Sequence, residues 1–197
     1  MTTLKFPRTP HLPGSKSTDD DIMLDSFFLD GEVVSTEKMD GSNITLAHDA
    51  FYTRSGNTPN LDWTVPARKV WEQVFWQLPE SMMISGELLT WRKSIAYENL
   101  PAEFIVFSVI EDGVVLSWDD TVDIASSLGL VTVPVISRGD FGTVLEESMS
   151  KMHEGMEGFV IRPCDEFLFA EYSDTVAKFV GAHHSPVAGN NGKNTFS

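Results

Sequence analysis

Cysteine and long apolar runs are nearly absent from this 197-residue chain. Cys164 is its one cysteine, so no disulfide can form within the chain and nothing points to an oxidising compartment. The longest clean apolar run, FIVFSVI at 104–110, is far too short to cross a bilayer. The N-terminal MTTLKFPRTPHLPGS lacks the apolar region of a signal peptide. We therefore expect an intracellular, cytoplasmic protein with no membrane association.

Positive charge is scarce as well. The chain has 14 Lys and Arg residues against 29 Asp and Glu, a net charge of −15. Broad electrostatic binding to nucleic acid depends on Lys and Arg that neutralise phosphates, so this balance leaves room only for local contacts. The remaining composition, 42% hydrophobic and 22% charged, is that of an ordinary globular chain with one sizeable core.

The order of predicted elements indicates a mixed α+β domain. Residues 1–21 are rich in Pro, Ser, Thr and Asp without periodicity and predict an arm that leads into the domain. Asp-Gly and Asp-Ala pairs separate the first strands and favour antiparallel hairpins. Strands are predicted at 32–38, 43–48, 50–54, 82–88, 103–111, 131–136, 157–162 and 175–180, and helices at 64–77, 118–129 and 142–152.

The stretch STEKMDGSNITL, residues 35–46, places Lys38 among acidic residues. Alone, this pattern is typical of a surface lysine. The alternative is a nucleophile that attacks a nucleotide phosphate. Such a site needs cations for phosphate, a carboxylate for ribose, an aromatic face for the base and acidic groups for a metal. The chain offers these in order in EKMDGSN (37–43), YTRSG (52–56), SGEL (85–88), FIVFS (104–108), EGFVIRP (157–163) and AKFV (177–180).

This order resembles the covalent nucleotidyltransferases, the superfamily of polynucleotide ligases and capping enzymes, whose nucleophile lies in a Lys-x-Asp-Gly motif. Within it the chain is most similar to small phage and bacterial ATP-dependent RNA ligases, and the similarity runs from about residue 5 to residue 184. The resemblance implies an α+β nucleotidyltransferase domain at 1–184, with two antiparallel sheets flanked by helices and a nucleotide groove between them. We expect residues 185–197 to form a flexible tail and no C-terminal accessory domain to be present. The resemblance to phage ligases also includes a phage-encoded protein in a bacterial host among the expected sources.

The resemblance also implies a reaction. Lys38 attacks the α-phosphate of ATP to form a lysyl-AMP intermediate, with Mg²⁺ or Mn²⁺ as metal. AMP then passes to a 5′-phosphate, and a 3′-hydroxyl of RNA seals the ends. Because the amine must be neutral to attack, we expect the site to depress the pKa of Lys38 by desolvation or by positive charge from Arg54, Lys178 and metal.

The family motifs assign roles to further residues. Glu37 faces adenine through its backbone, Asn43 and Arg54 lie near ribose and phosphate, and Glu87 accepts the ribose hydroxyls. Each has a plainer alternative: a solvated carboxylate, a strand-edge amide or a surface guanidinium. Asp40 with Gly41 forms a hairpin turn that presents the lysine, because Asp-Gly readily adopts such turns. Asp40 and Glu157 are the metal-ligand candidates, and Glu157 also helps to activate the lysine.

Phe107 matches the aromatic residue that stacks on adenine, although a core position is the usual fate of a strand Phe. Phe104 lies three residues earlier, so on a strand the two face opposite sides and one can be core while the other meets the base. Ser108 stands where the family usually has Asp, which puts a metal role there in doubt.

Lys178 matches a phosphate-gripping position. The family often has Lys-x-Lys, whereas the chain reads Lys178-Phe179-Val180, so the sequence leaves open which lysine remains. Arg162 or Arg54 could compensate.

Other readings stay open at this point. A DNA ligase or a guanylyl-transferring capping enzyme shares the nucleophile, and a non-catalytic nucleotide-binding module fits the acidic composition. In the N-terminal arm, Arg8, His11 and Lys16 could clamp RNA or the β- and γ-phosphates, but an arm packed over the domain is the favoured reading. A minimal ligase of this charge is expected to contact RNA ends only locally, with a possible RNA-binding partner protein. His153, His183 and His184 lack metal-site spacing and receive no role.

Overall fold

Two β-sheets form the frame of the computed structural model, which describes residues 5–19, 21–57, 61–182 and 192–197. The strands in these residues are β1 (Glu32–Lys38), β2 (Ser42–Ala47), β3 (Phe51–Thr53), β4 (Met82–Leu88), β5 (Phe104–Glu111), β6 (Val114–Val115), β7 (Val131–Thr132), β8 (Val135–Asp140), β9 (Gly158–Pro163), β10 (Phe167–Leu168) and β11 (Ala177–Val180). The helices are α1 (Val65–Val74), α2 (Trp118–Ser127), α3 (Phe141–Ser150) and α4 (Tyr172–Thr175).

The two sheets divide the chain between them. One has the strand order β11-β9-β1-β8, and the other has β10-β6-β5-β4-β2-β3 with β7 added beside β5. Among these named strands, the pairings are antiparallel except for the parallel pair of β5 with β7. The expected α+β class with two antiparallel sheets is therefore confirmed.

Helices cover the outer faces of the sheets because one side of each helix is apolar. Ala67 and Val74 of α1 and Ala125 of α2 pack in one buried cluster with strands of the larger sheet, among them Ile44. Val144 of α3 packs against the smaller sheet. Full burial of one such Val or Ile side chain stabilises the fold by roughly 1.5–3 kcal/mol.

Polar caps fix where two of these helices begin. Ser117 accepts a hydrogen bond from the backbone N–H of Asp120 at the start of α2. Asp140 accepts one from the N–H of Thr143 at the start of α3. Each cap satisfies a backbone donor that the first helical turn leaves unpaired. The predicted helices are found within a few residues of their expected bounds.

Three sequence-based expectations were wrong in detail. The strand expected at 131–136 is two strands, β7 and β8, which lie in different sheets because the chain leaves the sheet at Val133-Pro134. The strand expected at 175–180 starts only at Ala177, after the short helix α4. The hairpin expected between β1 and β2 does not exist, since β1 lies in one sheet and β2 in the other.

The N-terminal arm packs on the domain, as favoured. The N–H of Leu12 donates to the carbonyl of Lys178 at 2.8 Å, and the N–H of Lys178 donates to that of Pro10 at 2.9 Å. The N–H of His11 in turn donates to the carbonyl of Ile22 at 2.7 Å. Residues 10–12 thus extend the smaller sheet beside β11, and residues near 22 lie beyond them.

The chain end departs from the expected flexible tail. Residues 185–191, with His183 and His184, lie outside the described residues, but 192–197 pack on the loop that follows β4. Buried Asn194 donates to the carbonyl of Leu89 at 2.6 Å and accepts from the N–H of Tyr97 at 3.0 Å. These bonds to backbone groups fix the last six residues. Among the described residues, no helix is both long and apolar enough to cross a membrane.

Candidate active site

A cavity of about 590 Å³ opens between the two sheets. This volume lies within the usual range for a small-molecule site. Both sheets and the N-terminal arm contribute to its walls. The residues singled out from the sequence that line it are Glu37, Lys38, Asn43, Arg54, Glu87, Phe107 and Lys178.

Lys38 is the last residue of β1, where the strand reaches the cavity. Its register partner on β9 is Gly158, so the preceding residue, Glu157, lies next to the lysine. The Lys38 Nζ and the Glu157 Oε1 are 2.7 Å apart, and the two side chains are 23% and 9% exposed. The site therefore presents an amine to the cavity and backs it with a buried carboxylate.

The charge state of the amine differs from the expectation. Burial alone would lower the pKa of Lys38, but the charges of Glu157, Glu87 and Asp40 and the hydrogen bond to Glu157 together raise it. The predicted depression is therefore wrong for the ligand-free protein. The carboxylates of Glu157, Glu87 and Asp40 shift this pKa in the direction opposite to the one expected from the cations Arg54 and Lys178.

The link between β1 and β2 carries the chain from one sheet to the other. Gly41 lies so close to the carbonyl oxygen of Leu88 and the side chain of Leu89 that a Cβ atom would clash with both. Its φ is not positive. The glycine of the Lys-x-Asp-Gly motif is thus required by close packing and not by a hairpin turn.

Asp40 anchors a neighbouring loop. Its Oδ2 accepts hydrogen bonds from the Ser94 N–H at 2.8 Å, the Ser94 hydroxyl at 2.6 Å and the Ile95 N–H at 3.0 Å. Its own N–H donates to the Tyr97 hydroxyl at 2.8 Å. Asp40 and Glu157 are both absent from the residues that line the cavity wall. Asp40 therefore holds the segment between β1 and β2 against the loop that contains Ser94 and Ile95, while its role in metal binding stays a prediction.

Asn43 and Glu87 face each other across β2 and β4. The Oδ1 of Asn43 is buried without a hydrogen-bond partner, which is costly unless a ligand supplies a donor. Burial raises the pKa of Glu87 to about 8, and the charge of Lys38 offsets only part of that rise. The pair forms a polar patch suited to hydroxyl groups of a ligand.

Phe107 faces the cavity at the position of a β-bulge. The register of β5 against β4 shifts so that Ser108 pairs with Ser85 and Val106 with Gly86, which leaves Phe107 as the extra residue. Bulges often redirect a side chain beside an active site. Phe104 is buried in the core below the larger sheet, while Phe107 lines the cavity, as expected for the two phenylalanines.

The side chain of Ser108 also belongs to this region. It lines the cavity, and its hydroxyl is buried without a hydrogen-bond partner. The ring of Phe107 meets the ring of Phe6 edge to face, with centroids 5.5 Å apart. An apolar ring face with nearby polar atoms is a suitable surface for a flat heterocyclic base.

Cations line the other side of the cavity. Lys178 lies 3.7 Å from Asp21, and burial together with the charges of Lys38 and Arg54 lowers its pKa. Arg54 is exposed on the cavity wall. Arg162 is buried and donates to the carbonyl of Leu116 at 2.5 Å, so its guanidinium is already engaged.

Asp21 belongs to none of the sequence motifs, yet it lines the cavity. Asp21, in a run of three aspartates, reaches the cavity only because the arm folds back along β11. Glu37 was expected to act through its backbone, and its N–H already donates to the carbonyl of Pro134 at 2.8 Å. Burial raises the pKa of its carboxyl group. His153 is an exposed residue whose Nδ1 accepts from the Gly155 N–H at 3.1 Å.

A metal site made by protein alone is not evident. Among the described residues, no group of three or more His, Cys, Asp or Glu side chains is arranged to hold a metal ion. Mg²⁺, however, is usually held by one or two carboxylates with substrate phosphates and water. Glu157, a carboxylate beside the nucleophile, is a donor of that type. The metal roles of Glu157 and Asp40 stay predictions.

Together the fold and the site define a class: a nucleotidyltransferase domain of the kind found in polynucleotide ligases, with a lysine at the cavity between two antiparallel sheets. The family model for RNA ligases matches residues 31–180 of the chain. The chain therefore belongs to the RNA ligase family. No curated protein sequence matches it.

Solved structures share this fold at low sequence identity. An archaeal ATP-dependent RNA ligase matches with a TM-score of 0.60 and 19% identity, over 79% of this chain and 44% of that protein. A putative ATP-dependent DNA ligase from Aquifex aeolicus gives 0.55 and 19%, over 79% and 45%. A Naegleria gruberi RNA ligase variant with ATP and Mn gives 0.55 and 16%, over 76% and 49%. The chain thus spans about half the length of these relatives.

Proposed function

We propose that this chain is an ATP-dependent RNA ligase that joins a 3′-hydroxyl to a 5′-phosphate. One observation carries the proposal: Lys38 presents its amine at the wall of the cavity, 2.7 Å from Glu157. Membership of the RNA ligase family and the ATP-bound state of the Naegleria relative support it. The proposed substrates are ATP and RNA, and the proposed location of the protein is intracellular.

In the first step, the Lys38 nitrogen forms a bond to the α-phosphorus of ATP, and the bond from that phosphorus to the pyrophosphate oxygen breaks. The ammonium must lose a proton before attack, and the Glu157 carboxylate is close enough to accept it. The raised pKa of Lys38 in the ligand-free protein means that this proton must be removed when ATP is bound. The amine then acts as the nucleophile of covalent catalysis.

The surrounding residues are assigned to the nucleotide. Phe107 supplies a ring face for adenine, and the buried Oδ1 of Asn43 with Glu87 suits the ribose hydroxyls. Lys178 and Arg54 supply charge for the phosphates, where electrostatic stabilisation counts most in phosphoryl transfer. Mg²⁺ or Mn²⁺, with Glu157 as a ligand, would add positive charge at the phosphate oxygens.

The later steps transfer AMP to the 5′-phosphate of one RNA end and then join the ends as AMP leaves. With a net charge of −15, the chain is expected to hold RNA through few phosphate contacts, so a partner protein that binds RNA would raise its efficiency.

Strand joining tests the substrate. Purified chain is incubated with ATP or GTP and labelled strands of RNA or DNA that carry a 5′-phosphate. We expect joined RNA with ATP. Joined DNA without joined RNA would indicate a DNA ligase, and transfer of GMP from GTP would indicate a capping-type enzyme. Nucleotide binding without any joined product would indicate a non-catalytic module. Each of these results would contradict the proposal.

A further inference from the structure

The N-terminal arm places a carboxylate inside the cavity. Residues 10–12 run beside β11, and the chain then turns back so that Asp21 lines the cavity wall next to Lys178. The Asp21 Oδ1 lies 3.7 Å from the Lys178 Nζ, and the two side chains are 25% and 18% exposed. A carboxylate at this position would repel the phosphate that Lys178 is proposed to bind.

Hydrogen bonds fix Asp21 firmly. Its Oδ2 accepts from both the N–H and the hydroxyl of Thr18 at 2.9 Å. Its Oδ1 lies 3.2 Å from the Nε2 of buried His11. Burial would raise the pKa of Asp21, but the Thr18 bonds and the charge of Lys178 bring it to about 2. The group is therefore an anion held in one place.

His11 is itself oriented by the same arm. Its Nδ1 lies 2.7 Å from the Ser15 hydroxyl, whose oxygen accepts from the N–H of Val180 at 2.9 Å. The Nε2 of the same ring faces the carboxylate of Asp21. This chain ties the carboxylate to the backbone of β11, the strand that carries Lys178.

The charges around Lys178 show what the carboxylate does. Lys38 and Arg54 are near enough to disfavour its ammonium form, while Asp21 favours it. With no nucleotide present, Asp21 balances a cluster of positive charge in a partly dehydrated cavity. A bound phosphate would bring the same negative charge to the same amine.

We propose that Asp21 is the counter-ion of Lys178 in the nucleotide-free protein and that a phosphate of ATP replaces it, so that Asp21 lowers the affinity for ATP. The inference rests on the proposed function, because it takes ATP as the ligand. It makes the N-terminal arm a part of the nucleotide site that sets how tightly ATP binds.

The test measures, by calorimetry, the affinity of the Lys38→Ala protein for ATP. This variant is used because it cannot form lysyl-AMP at residue 38. A chelator removes divalent metal, so that Asp21 cannot act through a bound cation. We expect Asp21→Asn to tighten ATP binding about twofold to fivefold, the scale of a partly exposed ion pair. In a Lys178→Ala background the same substitution should leave the affinity unchanged. Thermal melting checks folding, and Asp21→Ser serves as the second variant if the asparagine variant does not fold.

Asp19→Asn is the matched control, since it removes one negative charge from an exposed position in the same arm. Unchanged or weaker ATP binding by Asp21→Asn overturns the inference. Equal tightening of ATP binding by Asp19→Asn, or by Asp21→Asn in the Lys178→Ala background, also overturns it. The effect would then come from the lower net negative charge and not from the Asp21–Lys178 ion pair. If the unsubstituted chain forms no lysyl-AMP, the proposed function fails together with this inference, whereas ATP binding that ignores Asp21 removes the inference alone.

Discussion

At the scale of single residues, the Lys38–Glu157 pair is the centre of the site. Glu157→Gln preserves the shape of the side chain but removes the carboxylate that can accept the ammonium proton. We expect the rate of lysyl-AMP formation to fall about 100-fold, the scale of a lost acid–base group. Single-turnover labelling with ATP measures this rate.

Glu154→Gln is the control for that substitution, because Glu154 is exposed three residues earlier. It should keep the rate of the unsubstituted chain. A Glu157→Gln variant that forms lysyl-AMP at full rate would show that the carboxylate takes no part in activating Lys38.

Glu87 should make stability depend on pH. Its pKa is raised by burial to about 8 in the folded protein, against an ordinary value of 4.5. Its contribution to the free energy of unfolding is therefore fully present below about pH 4.5 and is lost as pH rises to about 8. Glu87→Gln carries no titrating group, so the variant should become more stable relative to the unsubstituted chain over this range.

Urea unfolding at several pH values measures the difference. Exposed Glu80→Gln provides the control and should follow the unsubstituted chain at every pH. A constant difference between Glu87→Gln and the unsubstituted chain from pH 4.5 to about pH 8 would contradict the account of Glu87.

The sequence motifs predict most of the residues that line the cavity. Lys38, Asn43, Arg54, Glu87, Phe107 and Lys178 were chosen from their order along the chain, and they line one cavity. The direction of the Lys38 pKa shift could not be read in this way, because it depends on the proximity of three carboxylates from separate parts of the chain, Glu157, Glu87 and Asp40. Asp21 lies in no motif, and only the fold of the arm brings it to Lys178.

At the scale of elements, the link between β1 and β2 joins the two sheets at the nucleophile. In Gly41→Ala the new methyl group would meet the backbone of Leu88, which cannot move without shifting β4. We expect this variant to lose lysyl-AMP formation by more than about tenfold and to melt at a lower temperature, because overpacking commonly costs about 1–3 kcal/mol.

Gly142→Ala is the control for that variant. Gly142 lies in α3, where a Cβ atom would come no closer than 3.5 Å to Asp140, an ordinary contact. Alanine favours helix over glycine, so this variant should be as stable as the unsubstituted chain or more so. Equal melting temperatures for both variants would contradict close packing at Gly41.

The C-terminal residues 192–197 support the same link through the loop after β4. Asn194→Ala would leave the buried Leu89 carbonyl and Tyr97 N–H without their partner. We expect a loss of about 1–3 kcal/mol in the free energy of unfolding, measured by urea denaturation. Asn57→Ala, which loses only an exposed contact with Ser55, should change it little. Equal effects of the two variants would contradict the packing described for 192–197.

Element types followed from periodicity and caps, whereas their assignment to sheets did not. Alternating residues predicted β1 and β2 correctly as strands, but nothing local says that two strands separated by Met39-Asp40-Gly41 enter different sheets. The docked C-terminus was missed for a similar reason, since a Gly- and Asn-rich composition hides the two backbone bonds made by Asn194.

At the scale of the whole molecule, a strongly acidic chain surrounds a cavity that gathers much of its sparse positive charge. The net charge is −15, yet Arg8, Lys38, Arg54, Arg162 and Lys178 line the same cavity. Charge placed in this way suits a small polyphosphate better than a long nucleic-acid strand, which requires an extended basic surface.

The central claim is that Lys38 becomes covalently joined to AMP. Intact mass is measured after incubation with ATP and Mg²⁺ for the unsubstituted chain, for Lys38→Ala and for the control Lys69→Ala, whose lysine is exposed on α1. We predict a mass increase of one AMP in the unsubstituted chain and in Lys69→Ala, and none in Lys38→Ala. An unsubstituted chain without the adduct, or a Lys38→Ala protein that retains it, would contradict the mechanism.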